Sequence, residues 1–432
     1  MRIYPAVRRA VWRQHDFAFL LAGQTVSEVG SQVTVLALPT LVIFDFHSGP
    51  ATVGLLVAAE RLPFPVLSLF AGAVIDRVRK RPVMIGCNLA RLLILGAVPL
   101  LAALGLLRLW EVFVAAVSMG VFTVFFDIAY LALVPALVTP GQLVEANSRL
   151  EITFSAASLA GPGIGGLLVQ AVGAARAVAA DSASFLVSAL TLAAIRHRET
   201  RPAPAARTGM MREVGEGLRH VFGSPVLRAQ LLCMSAAGVF AHAYEAPLFI
   251  FAYDRLHLSP GLLGAILTCE GVGSLIGGAV ATRFIAAAGV GRAIAVADGA
   301  AIAMAAFIPL AAFLAAPAAL LFPLFALTGL LGTVGNIAQV TLRQSLSPPR
   351  LQGRMTSVFR TFFWGAWPLG NLLGGLLAGV LGAATTLVLM GGVGALVNMS
   401  IVFTPLWKVR DFGSGATGLD TPLEAPAGEV AL

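Results

Sequence analysis

Long apolar runs follow one another along almost the whole chain, and they constrain its fold more than any other feature of the sequence. They fall at 16–45, 51–75, 82–107, 110–138, 143–171 and 174–196. After a polar segment at 197–222 they resume at 224–254, 260–286, 291–314, 317–346, 351–380 and 383–407. Each is long enough for one bilayer crossing, which takes roughly 20 apolar residues. Hydrophobic residues make up 58% of the 432 positions and charged residues 12%, about half the charge of a soluble domain. No water-soluble core absorbs that much apolar sequence, so lipid is the solvent for most of the chain. The expectation is an all-α membrane protein with twelve transmembrane helices.

Charge placement gives the orientation. Of the 29 Lys and Arg residues, only Arg108, Arg176 and Arg255 fall in segments on one side, and Arg61, Arg91, Arg149 and Arg360 lie within runs. All the others share the opposite side, from Arg2, Arg8, Arg9 and Arg13 through Arg77, Arg79, Lys80 and Arg81 to Lys408 and Arg410. This bias places both termini in the cytoplasm of a multi-pass protein of the cell (inner or cytoplasmic) membrane, with an even number of crossings. The net charge of +8 is then topological, and with no folded domain to read a groove, nucleic acid is not expected as a partner. The first run is too long for a signal-peptide core and no small-residue cleavage site follows promptly, so the first helix is expected to remain. Cys87, Cys233 and Cys269 are odd in number and sit in apolar runs, which suits packing better than a disulfide framework.

The chain repeats internally. A shift of 209 residues lays Asp127-Ile128-Ala129 on Asn336-Ile337-Ala338, Pro140 on Pro349, Gly165-Gly166 on Gly374-Gly375, and Gly173-Ala174-Ala175 on Gly382-Ala383-Ala384. A shift of 206 lays Gly72-Ala73-Val74 on Gly278-Ala279-Val280. Several matches in one register mark two related halves. The expected organisation is an N-terminal six-helix half over 1–196, a cytoplasmic linker over 197–222, a C-terminal six-helix half over 223–407, and a disordered cytoplasmic tail over 408–432, rich in Gly, Pro and Ala.

Two motifs stand out. Gly72-Ala73-Val74-Ile75-Asp76-Arg77-Val78-Arg79-Lys80-Arg81 follows the second run and resembles the signature loop of the major facilitator superfamily, Gly-x-x-x-Asp-Arg-x-Gly-Arg-Lys/Arg. It departs at Arg79, where the pattern has Gly. Gly161-Pro162-Gly163-Ile164-Gly165-Gly166 in the fifth run resembles the Gly-Pro-x-x-Gly-Gly core of that superfamily's antiporter motif, with Ala157 where the longer motif has Gly. The eleventh run carries a related Pro368-Leu369-Gly370-Asn371-Leu372-Leu373-Gly374-Gly375. Gly23-Gln24-Thr25-Val26-Ser27 with Ala37-Leu38-Pro39, Glu145-Ala146-Asn147-Ser148-Arg149-Leu150, and Trp364-Gly365 with Pro368-Leu369-Gly370 are similar to the macrolide-efflux and enterobactin-exporter branch of drug:proton antiporters. The resemblance covers nearly the whole chain. It implies the major facilitator fold, with twelve helices in two pseudo-symmetric six-helix halves. Helices one, four, seven and ten would line a central cavity, and two, five, eight and eleven would form the interface between halves. The signature loop would latch the halves on the cytoplasmic side. There Gly72 would admit a close neighbour and Asp76 would face the positive end of a helix dipole. Arg77, Lys80 and Arg81 would complete the latch, the arginines pairing with acids on neighbouring helices.

A charge near the bilayer centre costs about 2.5–3.5 kcal/mol, so one that is kept implies a partner, a water-filled cavity or a proton. Glu28 lies about 18 Å into the first run at 1.5 Å per residue and is expected to contact substrate or bind the proton; the bland alternative is an acid capped by Ser, Thr or Gln neighbours. His242 and Glu245, one turn apart in the seventh run, are a candidate outer proton site or a water-facing pair. Asp127 lies about 25 Å from the outer end of the fourth run, and the resemblance implies a relay with a signature-loop arginine, Arg77. Glu60 and Arg61, Glu270 facing Arg149 or Glu151, and the repeat mates Glu151 and Arg360 are inter-half gate candidates, against simple structural ion pairing. Arg91, Asp181 and Asp298 fall on helices that are peripheral by resemblance, where structural roles are expected. His15, His47, His197, His220 and His257 show no metal-ligand spacing, and no nucleotide-binding Gly-x-x-x-x-Gly-Lys-Ser/Thr loop is present. No metal, cofactor or catalytic residue is expected.

The function expected from these features is secondary active export of small amphipathic, drug-like or siderophore-like molecules by alternating access, as proton-coupled antiport by a monomer. The partners are a small-molecule substrate, the proton and the lipid bilayer. An importer or uniporter of the same fold is the alternative. A membrane sensor or enzyme would be a third, but an enzyme needs its reactive groups clustered, and the acids here are scattered. Glu28, the full signature loop and Asp127 all lie in the first half, which is therefore expected to carry the proton and latch chemistry.

Overall fold

The computed structural model describes residues 14–75, 77–139, 142–197, 199 and 210–412. Asp76 of the signature loop, Pro140, the arginines at 2–13 and the tail beyond 412 lie outside the described residues. Among the described residues, 12 helices are long and apolar enough to cross a membrane. They are numbered here as spans 1 to 12: His15–Phe44, Pro50–Ser68, Lys80–Ala103, Leu109–Leu137, Glu145–Val172, Ala174–Ala194, Pro225–Arg255, Pro260–Ala288, Val290–Phe313, Pro317–Ser345, Arg350–Leu381 and Ala383–Phe403. In lipid a helix is the one open-chain arrangement that satisfies every backbone N–H and C=O within the segment. Span 2 bends at Leu62, ahead of Pro63, and continues to Ile75; span 7 breaks at Ala243–Tyr244, just ahead of Pro247.

The connections repeat as the helices do. Spans 1 and 2 join through His47, and spans 7 and 8 through His257, each at φ 50°. Around them Ser48 N–H donates to Val42 O (3.1 Å) and Leu258 N–H to Ala252 O (2.9 Å), the same helix-closing bond shifted by 210 residues. Gly173 and Gly382, at φ 85° and 82°, each make a one-residue joint between consecutive spans, where a residue with a Cβ would be strained.

Glycines set how spans approach, as expected where lipid removes the hydrophobic drive and close backbone packing replaces it. Added Cβ atoms on span 5 would meet span 1 at Gly161 (Gln32 Cγ, 2.6 Å) and Gly165 (Val33 Cα, 3.0 Å), and span 8 at Gly166 (Gly264 Cα, 3.0 Å). Span 11 repeats this at a shift of 209. Gly370 and Gly374 face the break in span 7 (Ala243 N, 3.2 Å; Ala243 Cα, 2.9 Å), and Gly375 faces span 2 (Gly54 Cα, 2.8 Å). The antiporter-like motif of span 5 is thus a packing device present in both halves.

The two seams, span 2 on span 11 and span 5 on span 8, join the halves away from the face on which the described residues begin and end, called here the terminal face. There one apolar core runs through both halves, from Val33, Leu41, Val53 and Phe185 to Phe249, Tyr253, Leu263 and Phe325. Thr40 and Tyr253 close it with a hydroxyl–hydroxyl bond of 2.9 Å between spans 1 and 7. Toward the terminal face the core divides. Phe17, Met84, Phe126 and Leu192 cluster within the first half, and Ile285, Ile294, Val334 and Leu406 within the second. Gly72, Gly278 and Gly353, near that face, have no atom within 4 Å of an added Cβ. The crevice between the halves opens toward the terminal face. Among the described residues Gly72 seats no neighbour, so the close helix contact expected there is not made in this arrangement.

The segment read as a polar linker contains a helix, Met210–Gly223, docked on the second half. Leu218 and Val221 pack with Leu227, Leu231, Met355 and Phe359. Glu216 pairs with Arg354, and His220 Nε2 lies 3.0 Å from Ser347 Oγ.

Candidate functional site

Three groups of polar side chains line the region between the halves. The first lies in the first half. Glu28 of span 1 accepts a hydrogen bond from Gln24 Nε2 one turn away, at 2.6 Å. Its charged neighbours are Asp127 of span 4 and Arg91 of span 3. Arg91 is 4% exposed, donates to Phe122 O at 3.0 Å, and lies over the rings of Phe126 (4.6 Å) and Phe185 (5.3 Å). Among the described residues its Nε has no hydrogen-bond partner. The opposing charge that acts most on Asp127 is Arg91, ahead of Arg360 and Arg61. This corrects the relay expected with Arg77, which is exposed at the terminal face. Arg91 and Asp127 both stand some ten residues from that face, about 15 Å deep, so the buried arginine of span 3 is at Asp127's depth and the loop arginine is not. Three carboxylates, Asp127, Asp181 and Glu28, thus lie within the electrostatic reach of one guanidinium. Asp181, also near Arg91, is held by Thr34 (2.5 Å) and Ser184 (3.1 Å), and Asp298 by Gln339 (2.6 Å); both bind spans together.

The second group joins the halves. Span 11 presents Trp364 and Trp367, whose rings lie 5.4 Å apart, to the bend of span 2 and the break of span 7. Trp364 stacks on Phe64 of span 2 at 4.6 Å, and Trp367 stacks on His242 of span 7 at 4.3 Å. Arg61 lies over Trp367 at 4.5 Å, and Arg360 over Phe64 at 5.8 Å. Glu245 is enclosed: His242 Nδ1 lies 3.1 Å from its Oε1, while Trp367 Nε1 (3.2 Å) and Asn371 Nδ2 (3.1 Å) donate to Oε2. His242 and Glu245 are therefore one unit with span 11. Glu60 and Arg61 do meet, loosely, at 3.9 Å. Arg61 acts on Glu245 in one half and on Asp127 in the other.

The third feature is a cavity of about 610 Å³ whose lining comes from spans 7 to 11 and Val35 of span 1. Glu245 and Glu270 are its carboxylates, and Phe240, Phe249, Phe325, Phe363 and Trp367 are among its aromatic walls. Glu270 therefore faces Glu245 and not Arg149 or Glu151, as a gate would have required. Arg149, Glu151 and Arg360 are exposed on the terminal-face half of spans 5 and 11, where the crevice is open. Lys80 and Arg81 are engaged inside their own half. Their backbone N–H groups donate to Glu199 (2.6 and 2.7 Å), and the Arg81 guanidinium donates to Leu192 O (2.7 Å) and Ala193 O (2.5 Å).

Phe64 and Trp367 carried no expectation from the sequence, Asn371 entered only within the span 11 motif, and Arg91 was expected to be structural. Arg91 carried a signal, being a lone arginine kept in an apolar run. Trp364 and Trp367 stand three apart, on one helical face. Nor is polar chemistry confined to the first half, as the cavity and its two acids belong to the second.

Residues 8–426 match the family described as transmembrane secretion effector. The multidrug efflux pump Tap of Mycolicibacterium fortuitum is 30% identical over 413 residues, covering 92% of this chain and 96% of that protein. The enterobactin exporter EntS of Shigella flexneri is 26% identical over 408 residues, covering 92% of this chain and 93% of that protein. The crystal structure of a bacterial homologue of the iron transporter ferroportin, in an inward-facing state, shares the fold with a TM-score of 0.70 at 16% identity, over 89% of this chain and 98% of that one. The resemblance drawn from the motifs holds for the chain as a whole: it belongs to the transmembrane secretion effector family of major facilitator transporters.

Proposed function

We propose that this protein is a secondary active exporter of small amphipathic molecules, in which protons move inward as substrate moves out. The halves, 1–196 and 223–407, rock about the two glycine seams, and the termini lie in the cytoplasm. What supports the reading is that Glu28 and Asp127, carboxylates held within the spans, act on one another and on the buried guanidinium of Arg91, on which Asp181 also acts. In a low-dielectric setting the uncompensated negative charge calls for a proton or a cation. Arg61 and Arg360, which also act on Asp127, stand at the interface with the second half. Movement of the halves therefore changes the charge around Asp127, and a proton biases an equilibrium between states that it distinguishes.

The direction of transport is supported by relatives along the length of the chain, an efflux pump and an exporter. The face on which the basic loops gather is the cytoplasmic side by the positive-inside rule. Arg77, Lys80 and Arg81 then belong to the latch that closes that face once substrate is bound. In inside-out vesicles an acidic lumen should drive accumulation of an amphipathic dye such as ethidium. Glu28→Gln and Asp127→Asn should each abolish the part of uptake that follows the pH gradient. Full gradient-driven uptake by both variants would reject the coupling site, and uptake with the gradient reversed would reject export.

A further inference from the structure

Glu270 of span 8 differs from the acids near the crevice that have a side-chain partner, and from Asp127, on which arginines act. Glu28 has Gln24, Glu245 has His242, Trp367 and Asn371, and Glu60 has Arg61. No side chain among the described residues donates a hydrogen bond to the Glu270 carboxylate, and the charge that acts on it is the like charge of Glu245. The repeat shows what is missing. At the shift of 210 that relates His47 to His257, Glu270 is the mate of Glu60, but the mate of Arg61 is Gly271. An added Cβ at Gly271 would stand 3.0 Å from Leu159 Cα. The acid is thus kept in the second half at a position where close packing on span 5 leaves no room for its arginine.

We propose that the 610 Å³ cavity binds organic cations that carry aromatic groups, with Glu270 as the counter-charge. The volume falls within the roughly 300–1,000 Å³ usual for small-molecule sites. Phe240, Phe249, Phe325 and Phe363 offer ring surfaces, which attract a cation and stack on an aromatic body. Of the other polar groups in the lining, the hydroxyls of Thr328 and Ser274 are spent on helix carbonyls at 2.9 and 3.0 Å, and Tyr244, Thr333 and Asn336 are uncharged, so none of these supplies a counter-charge. An anion would meet two carboxylates. A cation replaces the arginine that the repeat lacks.

The proposal rests on the exporter reading only in treating the cavity as a substrate site, and its test needs no transport. Purified protein in lipid nanodiscs is titrated with tetraphenylphosphonium and with neutral triphenylphosphine oxide. The expectation is saturable binding of the cation, much weaker binding of the neutral probe, and at least a tenfold loss of cation affinity in Glu270→Gln with the neutral probe unaffected. Gly332→Leu is a second variant. Gly332 lines the cavity and has no atom within 4 Å of an added Cβ, so the larger side chain fills space without displacing backbone and should weaken both probes. Equal cation affinity in wild type and Glu270→Gln, or cation binding undiminished by Gly332→Leu, would overturn the proposal. Such a result would leave proton-driven export of other molecules untouched.

Discussion

The glycine seams can be loaded with one methyl group each. At Gly54 an added Cβ would stand 2.5 Å from Asn371 O and 2.7 Å from Gly375 Cα. Relaxed carbon contacts lie at about 3.5–4.0 Å, so the seam must open by about 1 Å. Backbone lies on both sides, and no flexible side chain can yield. Overpacking of this kind costs about 1–3 kcal/mol, which is about 5- to 150-fold in a two-state population. At the pseudo-symmetric seam, Gly264→Ala meets Gly166 Cα at 3.0 Å and Pro162 C at 3.1 Å. The cost falls only on the arrangement in which the seams are shut, so each variant should shift the protein toward the arrangement open on the face away from the termini. The seams share few residues, so the double variant should shift it further. Spin labels at Leu106 and Ala315, exposed on that face in the two halves, report the change by pulsed electron resonance. The distance distribution should gain a longer component in each variant and more of it in the double. Well-folded single and double variants with an unchanged distribution would refute the claim that these seams distinguish two working states.

Three smaller perturbations follow from the same contacts. Tyr253→Phe removes the bond to Thr40 at the closed face and should weaken closure by about 1 kcal/mol, a smaller lengthening between the same labels. Arg81→Ala strips donors from Leu192 O and Ala193 O and should lower thermal stability by about 1–3 kcal/mol, seen as an earlier melting transition in detergent; an unaltered transition would contradict the ties drawn for Arg81. His220 titrates outside the membrane spans. Burial, with Arg350 adding to it, holds its value below the ordinary 6.5. The undocked helix therefore takes up the proton first, and docking is fully favourable above about pH 6.5 and weakens as pH falls below it. Limited proteolysis between residues 200 and 223 should accelerate from pH 7.5 to 5.5, and His220→Gln should flatten that dependence.

Much of the fold was legible because lipid enforces it. Apolar runs and their Gly and Pro breaks located the spans to within a few residues, and the 209-residue shift anticipated the matching joints at Gly173 and Gly382. The candidate site was less legible, for reasons of geometry. Glu28 and Asp127 stood out as charges in apolar runs, but a run does not say which neighbour a charge faces. Arg91 looked peripheral because span 3 is peripheral as a helix, while its side chain reaches inward past Phe126 and Phe185. Glu270 suggested a partner across the interface, and the close packing of span 8 on span 10, where Gly329 lies against the Glu270 carbonyl, turns it into the second half's own cavity. The docked helix at Met210–Gly223 was hidden by its polar face.

Coupling is the central claim, and stoichiometric counterflow tests it most directly. Proteoliposomes are loaded with a pH-sensitive dye and given a gradient of transported substrate, with no pH gradient and with the membrane potential clamped. Substrate leaving by the terminal-to-opposite route should drive protons the other way, so that the lumen changes pH in step with substrate flux. Glu28→Gln should carry substrate down its gradient with no proton signal. Substrate flux in the wild-type protein with a flat pH trace would contradict the account.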